Sequence, residues 1–277
     1  MRIGDVQLDI VSDGRFWMDG GASFGLVPRV LWERVLPPDG LNRTPLALNC
    51  LLIRSAGRTI LVDTGYGSKV PEKRRAILSL EREPGLPGAL SALGLTAQDV
   101  DIVINTHLHA DHCGGNTHSA DGCLAPTYPR AEYWVQRLEW ADALFPNERT
   151  RATYLPENLR PIEPQIRLLD GDTRVTPEVR CMVTRGHTRA HQSVIIESRG
   201  ETAIYLADLA PYAVHLERLA WIGANDVEPL ETLETKRSLR RFALERNALL
   251  IFEHDPGLAV GRLSETEGEL RVVPIEI

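Results

Sequence analysis

The sequence predicts an α+β fold: two β-sheets packed face to face, with helices covering both outer sides. Two observations carry this. Short strand patterns fall into two clusters interleaved with helical stretches, and such elements bury their apolar faces by layering. Several of these strands also run directly into loops holding histidine and aspartate, so both clusters present polar chemistry at their strand ends. The 277 residues are read as one domain over 1–277, because a single α/β or all-β domain often reaches about 250 residues. Apolar residues at 43% with charged residues at 25% give the balance of a globular chain and exclude disorder and coiled coil.

In chain order, Val6, Leu8 and Ile10 alternate with Gln7 and Asp9, a half-buried strand expected to end at the turn Ser12-Asp13-Gly14. Segment 14–45 gathers Trp17, Met18, Phe24, Leu26, Val27 and Trp32, most of them expected in the core, with a lip over the site or a dimer element as the functional alternative. Residues 46–54 and 59–62 flank Ala56-Gly57 as a hairpin, closed by Asp63-Thr64-Gly65. Residues 67–95 are rich in Gly, Pro and charge, a surface excursion with helical turns. Residues 101–105 are a short buried strand leading into Thr106-His107. Further strands are expected at 132–135, 179–184, 192–197 and 202–206, with a broken helical region over 136–159 interrupted by Pro146 and Pro156. In 231–246, Leu239, Phe242 and Ala243 fall on one helical face. Strands at 249–252, 258–263 and 269–275 complete the chain.

Charge and cysteines bound the function. A net charge of -7 withholds the general attraction for phosphate backbones, so no nucleic-acid partner is expected. Cys50, Cys113, Cys123 and Cys181 lack C-x-x-C spacing and read as free thiols in a reducing compartment. No signal peptide and no membrane span is legible, so the expected location is cytoplasmic.

The decisive segment is Thr106-His107-Leu108-His109-Ala110-Asp111-His112-Cys113-Gly114-Gly115. Three imidazoles and a carboxylate within six residues are a ligand set for zinc and its first-row neighbours. His107 and His109, two apart after a strand, share a side; a turn at Ala110 aims Asp111 and His112 at a second point nearby. His187, His191, Asp208 and His254 also follow predicted strands, and together these residues suffice for two metal ions. His118 has no motif around it and reads as an ordinary polar residue.

The H-x-H-x-D-H run, followed in order by His187, Asp208 and His254, resembles the metallo-β-lactamase fold superfamily. The resemblance implies a four-layer αββα sandwich and two divalent transition-metal ions, zinc first, with iron, manganese or cobalt as alternatives. It places one ion on His107, His109 and His187 and the other on Asp111, His112 and His254, with Asp208 bridging. Asp63 matches a carboxylate that supports a metal-binding histidine, and His191 a histidine that is not itself a ligand. In Gly186-His187-Thr188-Arg189-Ala190-His191, Arg189 and Ala190 replace the family's Pro and Gly.

Finer resemblance comes from Asp19 to Gly25 with Trp32, from Asp208-Leu209-Ala210-Pro211 with His215, and from Phe252-Glu253-His254-Asp255-Pro256. These segments look like the N-acyl-homoserine lactonase-like, quorum-quenching branch, which shades into methyl parathion hydrolase-like enzymes. The implied activity is hydrolysis of a small-molecule ester, a lactone first, by a metal-bridging hydroxide, with Asp111 and Asp208 as the catalytic carboxylates. An organophosphate triesterase and a glyoxalase II-like thioester hydrolase are the alternatives; the latter needs a basic site that the sequence does not locate. A ligand sensor without turnover is disfavoured by the complete ligand set. Phe24, Trp32, Tyr212, His215 and Trp221 are candidate substrate contacts, an apolar lip around Phe24 and Trp32 would favour longer acyl chains, and a homodimer is the expected assembly. Pro211 stands where several lactonases carry a substrate-facing Tyr, and Tyr212 comes one residue later.

Overall fold

In a computed structural model, which describes residues 1–266 and 268–276, the period-two alternation of the strands sorts side chains onto two faces. Leu51 and Ile53 of the strand Arg43–Ser55, Ile60 and Val62 of Arg58–Val62, and Ile102 and Ile104 of Ile102–Ile104 point to one side. There they form one buried cluster with Val194 and Ile196, Ala203 and Tyr205, and Leu249 and Ile251 from a second set of strands. The intervening Cys50, Leu52, Leu61 and Val103 turn outward onto Leu86 and Leu90 of the helix Gly85–Ala92. On the opposite outer face Ile195, Ile204 and Leu250 pack against Leu239 and Ala243 of the helix Pro229–Glu245. Helix, sheet, sheet and helix therefore stack in four layers, the α+β sandwich expected.

Each of the two packed sheets has seven strands among the described residues. The first runs Arg2–Ile3, Val6–Asp19, Arg43–Ser55, Arg58–Val62, Ile102–Ile104, Glu132–Gln136 and Ile166–Leu169, with its last four strands parallel. The second runs Thr173–Arg174, Val179–Val183, Gln192–Ser198, Glu201–Tyr205, Leu249–Ile251, Val260–Thr266 and Glu269–Pro274. Its only parallel pair among the described residues is Glu201–Tyr205 with Leu249–Ile251.

Two sequence expectations need correction. The first long strand does not end at Ser12-Asp13-Gly14 but continues to Asp19 through a register shift between Ser12 and Arg15. Asp13, read as a turn residue, is buried and holds Arg82 in a two-point ion pair while accepting the amides of Gly67 and Leu86. The hairpin Thr117–Ala120 with Cys123–Pro126, which contains His118, had no alternating apolar signal because its strands lie mostly at the surface. No helix among the described residues is long and apolar enough to cross a membrane.

Candidate metal centre

Parallel strands release their chains at the same edge of a sheet, where ligand-binding loops of open α/β sheets collect. Arg58–Val62 and Ile102–Ile104 so deliver Asp63 and Thr106-His107 side by side, and Glu201–Tyr205 and Leu249–Ile251 deliver Asp208 and His254. His187 comes from the turn between Val179–Val183 and Gln192–Ser198. Asp111 and His112 sit on the single-turn helix Ala110–Cys113. The loop that follows is packed so closely on 64–66 that a Cβ on Gly115 would lie 2.2 Å from the Thr64 carbonyl oxygen. Gly186, at φ +135°, is equally constrained: a Cβ there would meet Thr232 Oγ1 at 2.2 Å.

The side chains converge. His107, His109, His187 and Asp208 offer ligand atoms within 4.8 Å of one another, and Asp111, His112 and His254 form a second such group. Asp208 stands between them: Oδ2 is 3.0 Å from His187 Nε2 and 3.8 Å from His107 Nε2. Its Oδ1 is 3.0 Å from His254 Nε2 and 3.5 Å from His112 Nε2. Asp111 Oδ2 faces His112 and His254 at 3.8 and 3.9 Å.

The outer nitrogens fix the tautomers. Nδ1–H of His187 donates to Asp226 Oδ1 at 2.9 Å, that of His254 to the Ala47 carbonyl at 2.7 Å, and that of His112 to Asp63 Oδ2 at 3.1 Å. The Thr106 hydroxyl donates to Asp63 and so accepts from His107 Nδ1 at 3.2 Å. In the neutral form that binds a metal, each of these four rings turns a bare Nε2 inward, since a neutral imidazole has one donor and one acceptor. His187 Nε2 faces His109 Nδ1 at 3.0 Å, and His254 Nε2 faces His112 Nε2 at 3.1 Å. Buried His107 Nε2 and Asp208 Oδ1 have no hydrogen-bond partner. Facing lone pairs and orphaned buried acceptors are stable around a cation, so the donor set fits two imidazole- and carboxylate-bound ions.

Without an ion the electrostatics divide the histidines. Burial, reinforced by neighbouring histidines, holds His107 and His109 well below the usual imidazole range. Burial opposes the charged form of His254 too, but Asp208 and Glu253 outweigh it and lift its pKa to about 9. Asp208 is kept well below the ordinary carboxylate range, because His187, His112 and His254 overcome the effect of its burial.

His191 lies outside both groups. Its Nδ1 is 2.8 Å from Thr184 Oγ1, and its Nε2 accepts the Asp208 amide at 3.2 Å, so it fixes the backbone that carries Asp208. Ala207, just before, has φ 47°, a left-handed conformation costly for a residue with a Cβ. Sequence reasoning missed Asp226, which holds His187 and accepts from Thr232 Oγ1 at 2.7 Å; it lies 39 residues beyond its partner in an irregular segment with no motif. It also missed Glu139, whose buried carboxylate ties the Leu108 amide to the hydroxyls of Thr188 and Tyr154, joining the two histidine loops. Glu253 was quoted only within a motif; it is buried with Oε2 3.0 Å from His112 Nδ1, and burial, partly offset by His112, raises its carboxyl to about 7. Arg189, in the family's proline position, pairs with Asp142 at 2.9 Å and anchors the loop to the helix Arg137–Leu144.

A cavity of about 320 Å³ opens onto the cluster, lined by His109, Asp111, His187, Asp208 and His254 with Met18, Leu46, Leu78, Pro211 and Tyr212. Here the substrate contacts predicted from sequence are corrected. Phe24 and Trp32 are buried and stacked on each other with centroids 5.1 Å apart, so they form core and not a lip. His215 is buried beside Phe24 and Tyr212, Trp221 packs edge-on against Phe24, and neither lines the cavity. Tyr212 does line it, but its hydroxyl donates to the Pro45 carbonyl at 3.2 Å.

Comparison with known proteins gives the family. The family model described as "Metallo-beta-lactamase superfamily" matches residues 43–254. An N-acyl homoserine lactonase from Bacillus sp. is 27% identical over 217 residues, 74% of this chain and 80% of the relative. Among solved structures, a probable metal-dependent hydrolase from Staphylococcus aureus superposes with TM-score 0.93 at 27% identity, over 100% of this chain and 99% of the other. AidC, a dizinc quorum-quenching lactonase, shares the fold at TM-score 0.84 and 20% identity, over 100% and 97% of the two chains. With a family match running from the strand Arg43–Ser55 to His254, and with the ligand geometry just described, the chain belongs to the metallo-beta-lactamase superfamily and is a hydrolase of that fold.

Proposed function

We propose that this hydrolase opens lactones of the N-acyl homoserine type, using two divalent ions, zinc foremost. The observation that carries the reading is Asp208, whose two oxygens each lie 3.0 Å from a histidine of a different ligand group, at the floor of a cavity sized for a small molecule. His107, His109 and His187 would hold one ion and Asp111, His112 and His254 the other, with the two oxygens of Asp208 directed at both groups. Bound ions of this kind supply Lewis acidity that brings a water's pKa near 7 and polarises a substrate carbonyl. Asp63 and Asp226 keep two imidazoles in the tautomer that leaves Nε2 bare, and His191 fixes the Asp208 backbone. Asp111 lines the cavity and would take the proton lost by the attacking water and return it to the ring oxygen as the acyl C–O bond breaks.

The relatives named as N-acyl homoserine lactonases support the lactone, as does the carboxylate at position 208. Values of kcat/KM for homoserine lactones, a nitrocefin-like β-lactam, a paraoxon-like triester and a thioester on metal-defined protein test the reading. Lactone turnover should exceed the others. A β-lactam, triester or thioester preference sinks the lactone assignment. The chain is proposed to act as one domain in the cytoplasm and as a homodimer. Leu26, Val30, Leu31, Val35 and Leu41 leave an exposed apolar face on the segment that covers Phe24 and Trp32.

A further inference from the structure

Two arginines line the cavity beside the ligand cluster: Arg74, half-buried on the helix Glu72–Leu78, and Arg149, exposed, which follows the helix Arg137–Leu144. Arg149 Nη2 donates to the Ala224 and Asp226 carbonyls at 2.6 and 3.2 Å. Those acceptors are neutral, so they position the guanidinium without cancelling its charge, and the segment they belong to also lines the cavity. Among the described residues no carboxylate oxygen lies within 4.0 Å of either arginine, whereas nearby Arg82 and Arg189 are paired with Asp13 and Asp142. The carboxylates of the cavity wall are engaged elsewhere: Asp208 and Asp111 with the histidines, Asp226 with His187 and Thr232. In a chain of net charge -7, two uncompensated cations therefore face the space where substrate must lie.

A planar guanidinium fork matches a carboxylate by charge and by two-point hydrogen bonding. At about 320 Å³ the cavity is near the lower limit of ligand pockets, with room for a compact substrate and little for a long acyl chain. We propose that the substrate carries a carboxylate remote from its scissile carbonyl, and that Arg74 and Arg149 bind that carboxylate. The scissile carbonyl itself rests on the ester-hydrolase reading above; the anion site does not.

The test compares two ligand pairs on the metal-loaded protein. In calorimetry, glutarate should bind about tenfold tighter than pentanoate, since only glutarate offers a second carboxylate, one charge-assisted two-point contact. The advantage should fall below about threefold in Arg74→Met and in Arg149→Met, each checked for an unchanged thermal midpoint. In kinetics, N-glutaryl homoserine lactone should exceed N-pentanoyl homoserine lactone in kcat/KM, with most of the difference in KM. Glutarate binding no tighter than pentanoate, or an advantage that survives both substitutions, overturns the anion site. Intact glutarate selectivity without turnover of either lactone overturns the lactone reading and supports the anion site, so the two failures are told apart.

Discussion

Asp208 and His191 are neighbours in space with opposite expected consequences when removed. Asp208 touches both ligand groups, whereas His191 reaches them only through the Asp208 amide. Asp208→Ala should reduce bound metal below two ions per chain and lower kcat/KM by about three orders of magnitude or more. His191→Ala should keep both ions and lose about 10- to 100-fold. Equal losses with equal metal depletion would place the ligands wrongly. Asp226→Asn tests a residue the sequence did not reveal: its amide can still accept from His187 but carries no charge, and metal affinity should drop about tenfold, read by competition with a chelating dye. An unchanged affinity would mean that Asp226 serves only Thr232. Proton linkage follows from His254. With its pKa raised to about 9 by Asp208 and Glu253 against the effect of burial, it is protonated at neutral pH in chelated protein, and an ion must displace that proton. Metal affinity should therefore rise with pH up to about 9, and loading at pH 7 should release protons, measurable by calorimetry in buffers of different ionisation heat. In chelated protein the same raised pKa contributes stability that is full below about 6.5 and lost as pH climbs through 9.

At the scale of elements, the strands that position the site were legible because their alternation is strict: Ile102 and Ile104 face inward, Val103 outward. Ile104→Ala, buried between the sheets directly before the histidine loop, should cost about 2–5 kcal/mol by chemical denaturation. The elements that escaped reading are those whose stability is not encoded in a local apolar pattern. Ile166–Leu169 and Thr173–Arg174 are edge strands that bury little, and the extension of Val6–Asp19 past Gly14 depends on the distant Arg82. The site divides in the same way. The residues that could hold metal follow strands and share one short motif with three later positions, so local spacing exposed them. Asp226 and Glu139 act across long sequence gaps through a few side-chain hydrogen bonds, which no periodicity records. The apolar residues of 14–45 were recognised as a group, but sequence cannot tell an aromatic that lines a cavity from one that fills the layer beneath it. Phe24 and Trp32 prove to be the layer beneath, which removes the physical basis for favouring long acyl chains. The face left outside on that segment gives a separate expectation: Leu26→Asp with Leu31→Asp should convert a dimer to a monomer in light scattering, and a wild-type monomer at micromolar concentration would exclude the dimer.

For the whole molecule, two face-to-face sheets set parallel strand ends at one rim, and four otherwise ordinary loops become a single centre only there. The chain is acidic overall, yet the cavity at the rim is lined by histidines and by Arg74 and Arg149, which have no carboxylate within 4.0 Å among the described residues; with the two proposed dications it would attract electron-rich carbonyls and anions. Two ions are proposed to act together across Asp208. Metal content and lactone kcat/KM measured on the same samples, during stepwise reloading of chelated protein with zinc, test it most directly. Activity should climb steeply only as the second equivalent binds and should level off at two ions per chain. Full activity at one ion or none would contradict the dinuclear centre.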